Sequence, residues 1–362
     1  MYWIHELHKK YGDIVRFSPT ELSVISGETA WQEIYGFRTG QSKLKQSFQK
    51  DLAWYPPTRN MIIADDKDHG RQRRVISHAF SDKALREQEG LLQSYVDLLV
   101  NRLKEVTTAR PNAPVDLCEW FNWTTFDIVA DLIYGKPFGC LQDLKSHRYV
   151  ELILGSVKAV AVLYVVNHWS WIGSLLTRSP KAKKSVEQRV EFGVWAEEQA
   201  RNRMQMDTQR PDFITSILAH NAMHMQGDKV DTTSGVSEGE IAANTRLFLV
   251  AGTETTATTM PAVVALLLRN PDCLEKLISE VRDRFKSSDE ITIDAVNQLP
   301  YMLAVLNESL RMIPPVPMGF MRKVPSSGAW ISGTFIPGNC NVSAFSRRLY
   351  GLAGAICYRT EN

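Results

Sequence analysis

The sequence predicts a mainly α fold with a small β-sheet, and three observations predict it. Apolar residues recur at spacings of three and four through the long middle of the chain, the alternating stretches are short and lie toward its two ends, and glycine and proline mark the boundaries between them. The composition suits a globular chain with a large core, since 44% of the 362 residues are hydrophobic and 23% are charged. Forty-two basic against 40 acidic residues leave a net charge of +2, too even a balance to require nucleic acid or an acidic membrane. The cysteines Cys118, Cys140, Cys273, Cys340 and Cys357 are scattered and form no CxxC pair. That argues against a disulfide framework or a structural zinc, and it fits a reducing compartment.

From the N-terminus, MYWIHELHKKYGDIVRF has neither the apolar core of a signal peptide nor the length to cross a bilayer. DIVRFS and ELSVIS, on either side of Pro19-Thr20, predict a hairpin. DKDHGRQRRVISHAFSDKALREQE, 66 to 89, reads as a basic surface helix. The alternative is a helix whose His69 and Arg73, four residues apart, reach one anionic partner on the interior side, arginine being suited to a two-pronged contact with a carboxylate. Helices are predicted over 83–107, 119–134, 187–222, 239–269 and 300–312. The apolar run AVAVLYVV at 159–166 is too short to span a membrane and predicts a buried helix. A membrane-touching patch is the alternative there, because WSWIG follows it. HMQGDKVDTTSGVSEGE, 224 to 240, predicts a mobile loop, and GAWISGTFIPGN, 328 to 339, a second hairpin.

The chemistry-bearing stretch is LFLVAGTETTATTM, 247 to 260, an apolar helix interrupted by a glycine, a glutamate and five threonines. On a helix Gly252 shares a face with Thr255 or Thr256. The absent side chain at Gly252 would leave a gap for a small ligand beside the carboxylate of Glu254. A buried carboxylate is costly unless paired or hydrated, so Glu254 is a candidate proton donor fed by water and threonine hydroxyls. The alternative is a helix whose threonines merely bond back to the preceding turn. In NESLRMIPPVP, Glu308 and Arg311 stand one turn apart after LPYMLAVL, a helix expected to be buried, which would force that pair into close mutual bonding.

Together these segments resemble the cytochrome P-450 family of haem-thiolate monooxygenases, in particular its fungal microsomal members, over nearly the whole chain to about residue 345. HKKYGDIVRFSPTELSVIS resembles the first helix and sheet strands, and DHGRQRRVISHAFSDKAL the helix whose arginine binds a haem propionate. There Arg73 matches the arginine and His69 stands where a tryptophan is usual. RPDFITSIL, 210 to 218, resembles the segment before the long central helix, and AGTETT that helix's oxygen-binding motif. The resemblance thus implies a proton-delivery role for Glu254 and Thr255, a cofactor-contacting place for Gly252, a structural ExxR pair in Glu308 and Arg311, and a second propionate contact in Arg322 of MGFMRKVP. It implies the cytochrome P-450 fold, a haem cofactor, an NADPH-dependent reductase as electron donor and an apolar organic substrate, with no role for nucleic acid. The substrate pocket would draw on 75–80, 155–170 and 247–256.

The family's ligand loop, FxxGxRxCxG, does not occur in these 362 residues. Around Cys357 the marker positions hold Tyr350, Ala353, Ala355 and Arg359. Cys357 also follows Arg311 too soon, and Cys340 lies in a strand-like segment. The expectation is therefore a family domain over 1–345, incomplete at both termini and without the membrane anchor that holds full-length relatives in the endoplasmic reticulum, followed by a non-family tail over 346–362. No metal ligand is assigned, haem binding is in doubt, and the chain as written is expected to be inactive. The resemblance implies a setting in fungal secondary metabolism, and the alternatives to an inactive member are an active monooxygenase whose recorded sequence is faulty or truncated and a non-enzymatic binding protein.

Overall fold

The computed structural model describes residues 2–25, 27–36, 45–46, 58–150, 152–153, 179–206, 208, 210–226, 229–230, 233–316 and 320–344. The 155–170 stretch, with the run at 159–166, the 169–173 segment, Cys357 and the 346–362 tail lie outside the described residues. In chain order the helices are α1 (Tyr2–Tyr11), α2 (Gly27–Tyr35), α3 (Asp66–Ile76), α4 (Asp82–Ala109), α5 (Leu117–Tyr134), α6 (Cys140–Asp143), α7 (Pro180–Met204), α8 (Phe213–Ala222), α9 (Glu238–Arg269), α10 (Pro271–Arg284), α11 (Ile293–Val296) and α12 (Pro300–Met312). The strands are β1 (Ile14–Ser18), β2 (Glu21–Val24), β3 (Lys45–Gln46), β4 (Met225–Gln226), β5 (Lys229–Val230), β6 (Arg322–Lys323), β7 (Ala329–Ile331), β8 (Thr334–Ile336) and β9 (Asn341–Ala344). The mainly helical class with a small sheet is as the sequence predicts. The chain forms two compact units, Met1–Lys50 with Leu303–Asn362, and Asp51–Met302.

The first unit holds the sheet, in the order β1-β2-β9-β6-β3. The expected hairpin forms between β1 and β2, and β2 then pairs in parallel with β9. Flanked on both sides, β2 is buried along its whole length. Leu22, Val24, Ile34, Val324, Ile336 and Val342 make the core beneath it. The second expected hairpin is β7 with β8. Its turn is Ser332-Gly333, both at positive φ, the pairing of angles that matches the twist of the strands. α1 is fixed by the buried His8, whose Nδ1 donates to the Gly12 carbonyl at 2.8 Å, leaving Nε2 to accept from the Ser23 hydroxyl at 2.7 Å.

The second unit is built around α5 and α9, whose contacts fill its core with Trp123, Phe126, Ile133, Phe192, Ile241 and Leu249. α5 is apolar on most of its circumference and is accordingly buried on most of it. α9 starts at a reciprocal capping box between Ser237 and Glu240. Two sequence expectations are corrected here. The single helix over 187–222 is two helices: α7 ends at Met204, ahead of Pro211, and Asp212 caps α8 by accepting from the Thr215 amide at 2.9 Å. The described part of 224–240 is a short β4–β5 hairpin followed by the first turn of α9, so the polar composition there reflects turn and cap chemistry rather than a structureless loop.

One network ties four segments of this unit together. Arg203 of α7, 1% exposed, donates from Nε to Asp212 Oδ2 at 2.9 Å and from Nη2 to the Thr215 hydroxyl at 2.7 Å. Arg210 donates to Asp131 of α5 at 2.8 Å and to the Gly135 carbonyl at 2.8 Å, and the Tyr95 hydroxyl of α4 donates to the other Asp131 oxygen at 2.8 Å. Gly135 ends α5 at φ +75°, and a Cβ there would stand 3.1 Å from Arg203 Cδ.

Candidate functional site

α9 carries the Ala251–Thr256 motif at mid-length. The Cβ direction at Gly252 points at Val129 of α5, 3.2 Å from its Cγ2. The expected ligand gap is therefore corrected. The missing side chain lets α5 approach α9, and on that side the space is already filled. Thr253 is buried and donates to the Leu249 carbonyl at 2.6 Å, while Thr255 donates to the Ala251 carbonyl at 2.7 Å and Thr259 to the Thr255 carbonyl at 2.9 Å. The threonines thus do bond back one turn, the plainer of the two sequence readings. Glu254 is the exception to that economy. Its Oε1 is buried with no hydrogen-bond partner among the described residues, and burial pushes its carboxyl above the usual carboxylate range. A proton on Glu254 is held to higher pH than on an ordinary glutamate, beside an exposed Ala251 and the half-buried Thr255.

α3 is held to the start of α9 by an arginine the sequence reading passed over. Arg71 donates from Nη1 to Glu240 Oε2 at 3.0 Å and to the Gly235 carbonyl at 2.7 Å, and from Nη2 to Glu240 Oε1 at 2.5 Å. Gln72, 1% exposed, also donates to Glu240 and accepts from Asn244. Burial pushes the Glu240 carboxyl up, but the hydrogen bonds from Arg71 and Ser237 outweigh it and hold it below the usual range. The interior anionic partner expected for α3 is thus met by Arg71. Arg73 is exposed, with no ion pair to any described residue, and His69 is half-buried on the turn before it. No local pattern in the sequence marks Arg71 as inward, because its partner Glu240 is remote in sequence. An open cavity of about 680 Å³ lies beside this pair, lined by Arg59, Lys67, Arg71, Gln72, Ser237 and Glu240 among others, and neither Glu254 nor Thr255 lines it.

In the first unit Arg322 lies on β6, its guanidinium 5.1 Å from the centre of the Tyr35 ring. Glu308 and Arg311 do pair, with Arg311 Nε donating to Glu308 Oε2 at 2.6 Å and Nη2 to the other oxygen. The expectation of burial is corrected, since the two side chains are 55% and 31% exposed and Ser309 is the one buried residue of α12. An apolar stripe at helical spacing says which face seeks cover, not how far the chain supplies it. The structure brings His69 with Arg73, Glu254 with Thr255, and Glu308 with Arg311, each as neighbours on one helix.

The profile of the cytochrome P-450 family matches residues 2–350. The chain belongs to the cytochrome P-450 family. It is 46% identical over 352 residues to the cytochrome P-450 monooxygenase traB of Penicillium crustosum, covering 95% of this chain and 67% of that protein. It is 39% identical to the cytochrome P-450 monooxygenase lcsI of Purpureocillium lilacinum, covering 94% and 64%, and 35% identical to the averantin hydroxylase of Dothistroma septosporum, covering 94% and 61%. The chain spans about two thirds of the length of the curated relatives it matches.

The family's cofactor is haem, and the side chains present can be weighed against it. The unpaired, exposed Arg73 suits a propionate, and the exposed Ala251 with the unpartnered Glu254 oxygen suits an oxygen-handling face. The axial position is a different matter. Of the described cysteines, Cys118 and Cys273 are exposed, and Cys140 and Cys340 are buried. Burial pushes the Cys140 thiol up to about 12, away from the thiolate that iron requires. Among the described residues no group of His, Cys, Asp and Glu is placed to hold a metal ion, and no helix is long and apolar enough to cross a membrane.

Proposed function

We propose that this chain is the greater part of a fungal monooxygenase of secondary metabolism that inserts oxygen into an apolar organic substrate, with electrons from an NADPH-dependent reductase. The hydroxylase named among its relatives supports that reaction class, and the fungal monooxygenases at 46% and 39% identity support the setting. Haem, when bound, supplies the electron transfer and oxygen activation. The chain's own residues do the rest: in the second unit Arg73, with His69, is assigned to a haem carboxylate and Glu254 holds a proton at its buried oxygen, and in the first unit Arg322 is assigned to a carboxylate contact by the family resemblance. Thr255, turned to the preceding carbonyl at rest, is the adjoining hydroxyl through which that proton reaches the substrate side. The observation that carries this reading is the buried, unpartnered Glu254 oxygen next to Thr255. The family domain is assigned to 1–345 and 346–362 to a tail outside it, although the family profile runs on to residue 350.

As a polypeptide of 362 residues without an FxxGxRxCxG segment, the chain is inactive in this reading. A thiolate needs both a cysteine and surrounding amides that lower its pKa and aim its sulfur. The test is the carbon-monoxide spectrum of the purified, reduced chain with excess haem, together with haem titration of Arg73→Ala. Absence of a thiolate-type spectrum and weaker haem uptake in the variant are expected. A thiolate spectrum lost in Cys357→Ser overturns the inactive assignment, and unchanged haem uptake removes Arg73 from the cofactor contacts.

A further inference from the structure

Three histidine rings stack in a row at one end of α8. His78, in the 3-10 turn Ser77–Phe80 after α3, lies 5.8 Å from His220 with the planes 24° apart, and His220 lies 4.5 Å from His224 at 17°. His224 Nδ1 donates to the His220 carbonyl at 3.0 Å, so the stack prolongs the helix end. His220 also bonds to the backbone of Ser234. Asn221 beside it donates to the Val236 carbonyl at 2.7 Å and accepts from the Val236 amide at 3.0 Å. This end of α8 is thus joined at once to the turn after α3 and to the segment that leads into α9.

Parallel imidazoles at these distances suit neutral rings. Once one carries a proton, a second proton on its neighbour is opposed at close range. The groups facing His220 are His78 from the 3-10 turn, Arg74 from α3 and His224 from beyond the helix end. On the other elements packed against α8, Asp131 of α5 is engaged by Arg210 and Tyr95, and Arg203 of α7 by Asp212 at the far end of α8.

We propose that the His78–His220–His224 stack is an acid-sensitive latch that holds the end of α8 closed with neutral rings and releases it on protonation. Burial holds the His220 ring below the ordinary histidine range, and the positive or potentially positive charges of His224, His78 and Arg74 act in the same direction, against the Ser234 bond. Each unit of that depression is a factor of about ten between the closed and the released forms.

The test is amide hydrogen exchange of the 362-residue chain over α8 and His224, corrected for the intrinsic pH dependence of exchange, from about pH 8 to about pH 5. Protection there is expected to fall roughly tenfold or more on acidification, while α5 keeps its own. His220→Phe keeps a stacking ring without a proton site, so its protection is expected to be flat across the same range. His78→Phe, a second variant that leaves α8 itself unchanged, removes one of the charges that hold His220 down and is expected to shrink the acid loss of protection. Flat protection in the parent, or the same acid loss in both variants, overturns the latch.

Discussion

Replacing Asp212 by alanine tests the physical core of the second unit. Arg203 and Asp212 are 1% and 0% exposed, so no solvent screens either charge, and the variant leaves a guanidinium without its carboxylate in the interior. Breaking such a pair from one side costs about 3 to 5 kcal/mol. Asp212 is also the cap of α8 through the Thr215 amide, and a lost cap costs about 1 kcal/mol. The two losses share one side chain and are not additive. Arg203 keeps its bond to the Thr215 hydroxyl, and Arg210 keeps Asp131 and Gly135. Asp212→Ala is therefore expected to lose about 3 to 5 kcal/mol in total. Asp212→Asn, which retains the capping oxygen, should lose about 1 kcal/mol less. Urea unfolding followed by far-UV dichroism and tryptophan fluorescence reads both, with the slope against urea reporting any change in the denatured state. A loss below about 1 kcal/mol for the alanine variant would refute the claim that this pair is uncompensated when broken.

Gly135→Ala forces a side chain into φ +75° and against Arg203, and should cost roughly 1 to 3 kcal/mol in the same urea assay. Gly252→Val overpacks the contact with Val129 and should lower stability by about 1 to 3 kcal/mol, whereas a stable variant would return the ligand-gap reading to consideration. Glu308→Ala should cost no more than about 1 kcal/mol, because the Glu308 side chain is more than half exposed, and a loss several times larger would mean that the ion pair acts as a buried one. Burial holds His8 below its ordinary value of 6.5 even though its bond to Gly12 raises it. The unfolded chain therefore binds its proton first as pH falls. The stability from His8 is present above 6.5 and is lost as pH drops through the folded value. Urea midpoints across that window should fall more steeply in the parent than in His8→Gln, and equal slopes would exclude His8 as the source.

The fold class was legible because it rests on periodicity, which α5 and α9 display over many turns. What the periodic reading missed is the polar break after Met204, which ends α7 ahead of Pro211, and α10, whose apolar residues Leu274, Leu277, Ile278 and Val281 recur at helical spacing although the helix buries no residue. At the candidate site, local motifs placed Glu254 and Thr255 on one helix and paired Glu308 with Arg311. They could not say that Gly252 faces Val129, since that contact joins residues 123 positions apart. Nor could they select Arg71 over Arg73 as the inward arginine: two residues along a helix are about 200° around it, so only one of them can face inward, and the partner that decides the matter, Glu240, is remote in sequence.

Glu240 closes the capping box of α9 and receives Arg71 and Gln72 with the same two oxygens. A helix has no phase of its own, and wherever its first turn is fixed the azimuth of each later residue follows. Were α9 to slip by one residue against its neighbours, Glu254 would swing about 100° around the axis and carry its proton away from whatever now faces Thr255. The carboxylate that secures the beginning of this helix and the Gly252–Val129 contact near its middle therefore act together in fixing the compass bearing of the acid.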